Sequence, residues 1–543
     1  MILYIINRLT LFTFLIFYVT TNFAQQPTQE WVARIPGPTN DFFGPFLEVD
    51  NQGNSYIAGA IEVNDTPKVF CAKYNTDGVQ LWSALYIYPS EAYIRTSGLA
   101  LDNSGNAYVI ADQSPAYYLP SNGLIVKFNS SNGSPAWVKR YIGQYGWGAF
   151  RDIQIDRLNN IYVVGWTDSS HLVIRYNTNG DSVWVRKYRP PWGVREVTRA
   201  CSIDDSLNII FTGQRRFYYP PYGWYDSLLI AKYSSGGILR WESVYAYNLL
   251  GSDIGTKITN DQSGNSFIGG VTTISGYSVY LTLKFDLNGS RQWAKIYYPP
   301  GSVMNDIYGI ALNRINNELY VSGYSVINSV GSAATIKYNT ATGDSAWVRR
   351  GFGVPGSSSA WDIEVDSSGN PYITGSSMGV SSSDLSTLKY NSLGNSEWLM
   401  RYNGPFNGGD GGRALEINQN NVYVLGYSQS SSQISDYIII KYNQISGINP
   451  ISNTIPLSFN LEQNYPNPFN PNTKINFSIP KNGLVQLRVY DILGREVTEL
   501  VNEEVSPGEY SISWDASMYS SGIYIYRIEA GDFAATKKMV LLK

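Results

Sequence analysis

From Glu30 to Asn443 the chain alternates short apolar runs with Gly, Asn and Asp breaks, and no run carries the three-to-four-residue period of a helix. Ser55–Gly59, Val69–Tyr74 and Asn160–Gly165 are typical: short, rich in β-branched and aromatic residues, and bounded by turn formers. Such segments predict strands. Two linked motifs repeat along this stretch. The first is an Asp or Asn, a tight turn, an Asn, then an aromatic or apolar residue and a Gly. It reads Asp50/Asn54/Tyr56/Gly59, Asp102/Asn106/Tyr108/Ala111, Asp156/Asn160/Tyr162/Gly165 and Asp204/Asn208/Ile210/Gly213. It continues as Asp261/Asn265/Phe267/Gly270, Asn313/Asn317/Tyr320/Gly323, Asp366/Asn370/Tyr372/Gly375 and Asn418/Asn421/Tyr423/Gly426.

The second motif is a basic residue, an aromatic, a Gly turn and a Trp, as in Lys73-Tyr74, Gly78 and Trp82. The aromatic precedes the Trp by eight or nine residues in every complete copy, from Tyr74/Trp82 to Tyr390/Trp398. A fixed spacing across a Gly turn is the register of a hairpin. Asp and Asn accept bonds from turn amides, and Gly and Asn tolerate positive φ, so both motifs read as tight turns between strands. Each unit therefore holds about four strands in a period of roughly 50 residues, which fits a propeller blade better than a helical solenoid. The eighth copy ends at Lys441-Tyr442-Asn443 without its Trp, while an orphan Trp strand, Glu30–Arg34, precedes the first copy. Pairing the two would close the ring and remove its exposed edges. The expected fold is all-β: an eight-bladed β-propeller with N-terminal strand closure (seven blades if one unit is degenerate), followed by a small Ig-like β-sandwich. Over residues 30–445 the paired motifs resemble the secreted bacterial β-propeller (SBBP) repeat family. That resemblance implies a propeller and no single activity.

The repeat stops after Asn443. Residues 446–456 are polar and turn-rich and read as a linker. Alternating segments follow at Lys474–Ile479, Leu484–Tyr490, Tyr510–Trp514 and Ile523–Ile528, with a turn at Asp491–Arg495, which predicts a small sandwich. Asn464-Tyr465-Pro466-Asn467-Pro468-Phe469-Asn470-Pro471, Val489-Tyr490-Asp491 with Gly494, Ser521–Tyr524 and the Lys537-Lys538-Met539 ending resemble the type A C-terminal sorting domain of the type IX secretion system, over residues 457–543. The resemblance implies passage across the outer membrane by that machinery, with possible cleavage of the domain and attachment to the cell surface. The other end agrees. Arg8 precedes an uncharged apolar run, Leu9–Val19, and Ala24 stands at a cleavage point, so residues 1–24 read as a signal peptide and 25–445 as the propeller. The run is too short for a bilayer, which needs about 20 residues, and no second one follows. A transmembrane segment in the mature chain is therefore not expected.

Composition narrows the chemistry. Lys+Arg 40 nearly cancels Asp+Glu 43, which argues against nucleic acid as a partner. One histidine, His171, stands in the chain, so a His-dependent triad or a His-ligated zinc is hard to build. His171 itself, after Asp168-Ser169-Ser170, reads as a solvated loop residue. Cys71 and Cys201 occupy different repeats and read as buried and unpaired. No cofactor and no metal is expected.

The motif turns share one face of the expected ring, and their uniformity marks that face as structural. Function then falls to the variable connections of the opposite face. These are aromatic between the second and fifth copies: Tyr145, Trp147, Phe150 and Trp192 in two connections, and Phe217, Tyr218, Tyr219, Tyr222, Trp224 and Tyr225 in the longest loop, Gln214–Asp226. Arg189, Arg195, Arg215 and Arg216 are interleaved. Flat rings with hydrogen-bond donors suit a glycan or a protein partner; the same rings also stiffen long loops. Asp41, Asp253, Asp306 and Asp410 precede first strands, where acids would cap turns, hold a cation or act as a glycosidase pair. The leading expectation is a secreted or surface-attached binding, adhesion or scaffold module. A carbohydrate-active enzyme with carboxylates at the channel mouth is the alternative, and a purely structural surface-layer component a third.

Overall fold

In a computed structural model, the described residues are 27–35, 44–63, 66–87, 93–114, 121–188, 194–220, 223–247, 251–353, 356–431, 435–444, 448–452, 456–505, 507–516 and 519–542. The structure is all-β, and no helix occurs among these residues. None is therefore long and apolar enough to cross a membrane. The signal segment 1–24 and Asp41 lie outside the described residues.

The repeat region is a series of small four-stranded antiparallel sheets, a propeller-like arrangement. The first contains Phe46–Val49, Ser55–Val63, Thr66–Tyr74 and Gln80–Tyr86 in sequence order, and later units repeat the pattern. A single parallel contact, Ser278 with Met304, links the fifth and sixth sets. The last set joins Asp410–Asn418, Asn421–Gln429 and Ser435–Asn443 to the N-terminal strand Thr28–Ile35, which runs antiparallel with Trp31 opposite Lys441.

Burial is organised between sheets, not within them. Tyr56, Val69 and Trp82 of the first sheet pack against Leu99, Val109 and Phe128 of the second. Tyr423, Leu425 and Ile439 of the last pack against Ile57, Phe70 and Tyr74 of the first. The first strands neighbour one another through the series, including Asp410–Asn418 beside Phe46–Val49. They surround a central bore.

The motifs explain this packing. Asp50 accepts the amides of Gln52 and Asn54 at 3.0 and 2.9 Å and the Asn54 side chain, and Asp102, Asp156, Asp204, Asp261 and Asp366 repeat the pattern. The basic residue of the second motif lies over the aromatic of the first, as Lys73 over Tyr56 at 4.8 Å. The tryptophan works across units. Its indole N–H donates to a carbonyl in the next unit's Gly turn, from Trp31 to Thr76 (2.9 Å) through Trp347 to Ser392 (3.1 Å). Gly78, at φ +77°, shows why the turn needs glycine: a Cβ there would stand 2.6 Å from the Trp31 ring.

The C-terminal residues form two four-stranded sheets. One contains Asn472–Ile479 and Gly508–Asp515, the other Gly483–Asp491, Glu496–Val505, Gly522–Ala530 and Phe533–Leu541. Ile475, Phe477 and Trp514 of one share a core with Leu487, Tyr526 and Met539 of the other. Two findings correct the sequence reading. Ile448–Ser452, expected within a linker, is an edge strand paired with Gly508–Asp515, and Glu496–Val505 and Phe533–Leu541 are strands the reading did not name.

Candidate functional site

The connections between the second and fourth units build a cleft on the face opposite the motif turns. Its volume is ≈ 400 Å³, and its walls are Tyr145, Trp147, Trp166, Asp168, Ser169 and Arg195. Asp168 fixes the floor. Its carboxylate accepts the amides of Gln144 and Tyr145, both at 3.1 Å, while its own amide donates to the Trp147 carbonyl at 3.1 Å. It does so at φ +52°, a left-handed conformation that Asp tolerates better than most residues. The 143–147 turn is thus held, and Trp147 stacks on Trp166 with centroids 6.5 Å apart. Tyr145 is 69% exposed and Trp147 38%, so both rings face solvent from a fixed backbone.

Arg195 extends the cleft to a second aromatic group. Its guanidinium lies over the Trp224 ring at 5.3 Å, and Trp224 contacts Tyr218 at 5.1 Å. The stretch Gln214–Asp226, expected as a loop, is the end of a long hairpin: Ile209–Tyr219 pairs with Gly223–Tyr233, placing Tyr218 opposite Trp224 and Phe217 opposite Tyr225. Strand alternation divides the cluster. Tyr218 and Trp224 share a face with the Arg216–Asp226 pair (2.7 and 2.9 Å), whereas Phe217 and Tyr225 lie on the other. Tyr219 ends its strand; Tyr222, Trp192 and Arg189 lie outside the described residues. Of the residues singled out in the sequence, the structure therefore brings together Tyr145, Trp147, Tyr218 and Trp224.

His171 is corrected. It lies in the strand Ser170–Tyr176 and is fully buried, its Nδ1 2.6 Å from Glu196 and its Nε2 3.1 Å from the Tyr233 hydroxyl. Glu196 also accepts from Arg215 at 2.6 Å. Burial pushes the Glu196 carboxyl up, but His171 and Arg215 together hold it below its ordinary range. A buried, saturated network of this kind braces two sheets. Cys71 and Cys201 are free and buried.

The acids expected before first strands mostly cap loops. Asp253 accepts the Tyr247 amide at 2.9 Å, Asp410 the Gly404 amide at 2.7 Å and Asp306 the Ser278 hydroxyl at 2.7 Å. A different set faces the bore. Glu48, Asp152, Asp362, Glu364 and Glu416 stand on the first strands of four sheets, Asp362 and Glu364 sharing one, and Glu48, Glu364 and Glu416 feel the charge of acids on other sheets. Burial, then neighbouring carboxylates, pushes Glu48 and Glu364 up to about 8 and Glu416 well above its ordinary value. Among the described residues no group of His, Cys, Asp and Glu is arranged to hold a metal ion.

Sequence reasoning missed one further feature. The first strands of the second to eighth units each carry a bulge opposite the motif Gly or Ala111. The displaced residues are Ser97, Arg151, Arg199, Thr256, Tyr308, Trp361 and Arg413. Bulges re-aim side chains and gather near functional sites. Arg151 pairs with Asp112 and lies 5.9 Å from the Trp166 ring, which ties this ring of residues to the cleft. Every bulged residue stands five positions before the motif's first Asp or Asn, so the spacing was present to be read.

Residues 463–542 match the family model of the secretion system C-terminal sorting domain. This tail is a type IX secretion sorting domain; it engages the secretion machinery, and the protein is exported, to be secreted or attached to the cell surface. No curated protein matches the chain. Among solved structures, Sqt1 of Chaetomium thermophilum bound to the N-terminus of ribosomal protein L10 is 9% identical, over 77% of this chain and 100% of that one, with a TM-score of 0.48. The polysaccharide lyase Uly1 is 9% identical over 74% and 90%, at 0.38, and Drosophila Plexin A in complex with Semaphorin 1b is 9% identical over 77% and 88%, also at 0.38. Likenesses this distant say nothing of what the chain binds.

Proposed function

We propose that this protein is a surface or secreted β-propeller that binds glycan through the cleft between Trp147 and Trp224. In this reading residues 25–445 form eight blades, closed by the N-terminal strand, with a signal peptide ahead and the sorting domain behind. The repeats belong with the SBBP type by their paired motifs. A binding or scaffold role fits a propeller-like body on a sorting tail.

The observation that carries the reading is the meeting of Tyr145, Trp147 and Trp166 with Arg195 in one cleft, beyond which Arg195 lies over Trp224. Sugar rings present C–H faces and hydroxyl edges. Indole and phenol rings take the faces at low entropy cost, and guanidinium donors take the edges. The turn that carries Tyr145 and Trp147 is pinned by Asp168, as suits a binding platform. Asp253, Asp306 and Asp410, the acids expected at that face, each accept a backbone amide or a hydroxyl, the arrangement of loop caps.

A glycan array with the exported chain tests this, alongside assays for polysaccharide breakdown. Wild type binds at least one glycan class, and Trp147→Ala and Trp224→Ala each weaken binding tenfold or more (~1.4 kcal/mol per decade) without changing the melting temperature. Release of reducing ends by wild type would replace the binding reading with an enzymatic one. Binding to protein fragments alone would move the partner class from glycan to protein.

A further inference from the structure

We propose that the glycan bound here is anionic, a polysaccharide bearing carboxylate or sulfate groups read by Arg195 and Arg199. This deepens the glycan reading above and rests on it.

Both arginines belong to the strand Val194–Ile203, and both are exposed. Arg199 is the bulged residue of that strand. Its Nε and Nη2 donate to Gln214 Oε1 at 3.0 and 2.9 Å. Gln214 is itself buried and donates to Asp226 at 3.0 Å. The amide thus orients the guanidinium fork while leaving its charge unneutralised. Among the described residues no carboxylate lies within ion-pair distance of Arg199 or of Arg195, and Arg199 Nη1 has no hydrogen-bond partner. Other cations on this face are engaged: Arg151 with Asp112, Arg215 with Glu196 and Glu242, Arg216 with Asp226.

Two guanidiniums on one strand, each without an ion-pair partner among the described residues, need a reason, since a nearby acid would be the simple remedy. The neighbourhood sharpens the question. Enclosure of the guanidinium first, then the charges of Arg151 and Arg216, outweighs the pull of the Asp226 carboxylate, itself taken by Arg216, and holds Arg199 below the ordinary arginine range. A ligand anion supplies the missing counter-charge, and the planar fork of arginine suits carboxylate and sulfate oxygens. Their backbone positions are four steps apart on the strand, about 13 Å at full extension. That spacing reads two charges along a polymer, not one charge on a small molecule. Trp224 lies under Arg195 and Trp166 near Arg151, so stacking surfaces accompany the cations of this face. Charge paired with ring faces selects a saccharide over a simple anion.

The test is binding of the exported chain to polygalacturonate, dextran sulfate, dextran and poly-glutamate, followed by affinity electrophoresis and calorimetry. The variants are Arg195→Gln/Arg199→Gln, the corresponding double Lys variant, and Trp224→Ala. Polygalacturonate or dextran sulfate should bind at least tenfold more tightly than dextran, with affinity falling as salt rises; whichever of the two binds names the anionic group. The Gln pair should erase that preference, the Lys pair should retain part of it, and Trp224→Ala should weaken every saccharide. Equal binding of dextran, or an unchanged preference in the Gln pair, overturns the anionic reading and leaves the glycan reading standing. Poly-glutamate binding as tightly as the polysaccharides overturns it in favour of an acidic protein. If no saccharide binds at all, both readings fail.

Discussion

A carboxyl group enclosed with others of its kind keeps its proton past the pH at which a free one loses it. Glu48, Glu364 and Glu416 are such groups, with Glu48 and Glu364 titrating near pH 8 in place of 4.5. Because the folded chain holds these protons more tightly than the unfolded one, their contribution is fully present below about pH 4.5 and is lost as pH rises toward 8. The melting temperature should therefore fall between pH 5 and pH 9. In Glu48→Gln/Glu364→Gln/Glu416→Gln it should fall less, matching wild type at pH 5 and exceeding it at pH 9. Parallel profiles would mean that bore water keeps the acids ionised. These positions were half-legible from sequence. Glu48, Glu364 and Glu416 stand two residues before the motif Asp or Asn, and the bulged arginines stand five before it. The motif supplied the register, but which register faces the axis depends on a bulge whose position no local residue type announces.

At the level of strands and turns, the repeat is a device for joining neighbours. Asp50 and its equivalents pin the first turn, and each Trp reaches the following unit's Gly turn. The constant aromatic-to-Trp spacing gave the hairpin register from sequence alone. The reach of the indole into another unit was not visible, because it depends on how sheets stack. Trp31 makes the same bond as Trp241, to Thr76 and Leu287 respectively, both at 2.9 Å. Both rings are half-buried, so Trp31→Ala and Trp241→Ala should each cost about 2–3 kcal/mol, below the cost of deleting a fully buried aromatic. Urea unfolding checks this. A neutral Trp31→Ala beside a costly Trp241→Ala would mean that the N-terminal strand is not part of the packed body. The hairpin 209–233 shows the opposite limit: its tip is rich in Tyr, Pro and Gly, composition that reads as loop, yet unbroken cross-strand pairing carries it on as strand. His171 likewise sits beside Ser and Asp and reads as solvated, but Glu196 from the next unit buries it.

The whole molecule divides labour between its ends and its faces. The sorting tail, legible from its Pro- and Asn-rich opening and Lys-Lys-Met ending, sends the chain out of the cell. The repeat region carries a uniform face of Asp- and Gly-pinned turns and a varied face of aromatic and arginine side chains. Sequence placed the aromatics on the varied face; it did not show that Arg195 would join two of their groups, since that contact spans separate connections. Hydrogen–deuterium exchange of the exported chain, with and without a bound polysaccharide, asks directly whether that varied face is where a ligand sits. The account predicts slowed exchange confined to residues 143–151, 166–170, 194–199 and 214–226. Protection on the turns at Asp50, Asp102 and Asp156, or none at these cleft segments while the polysaccharide is bound, would contradict it.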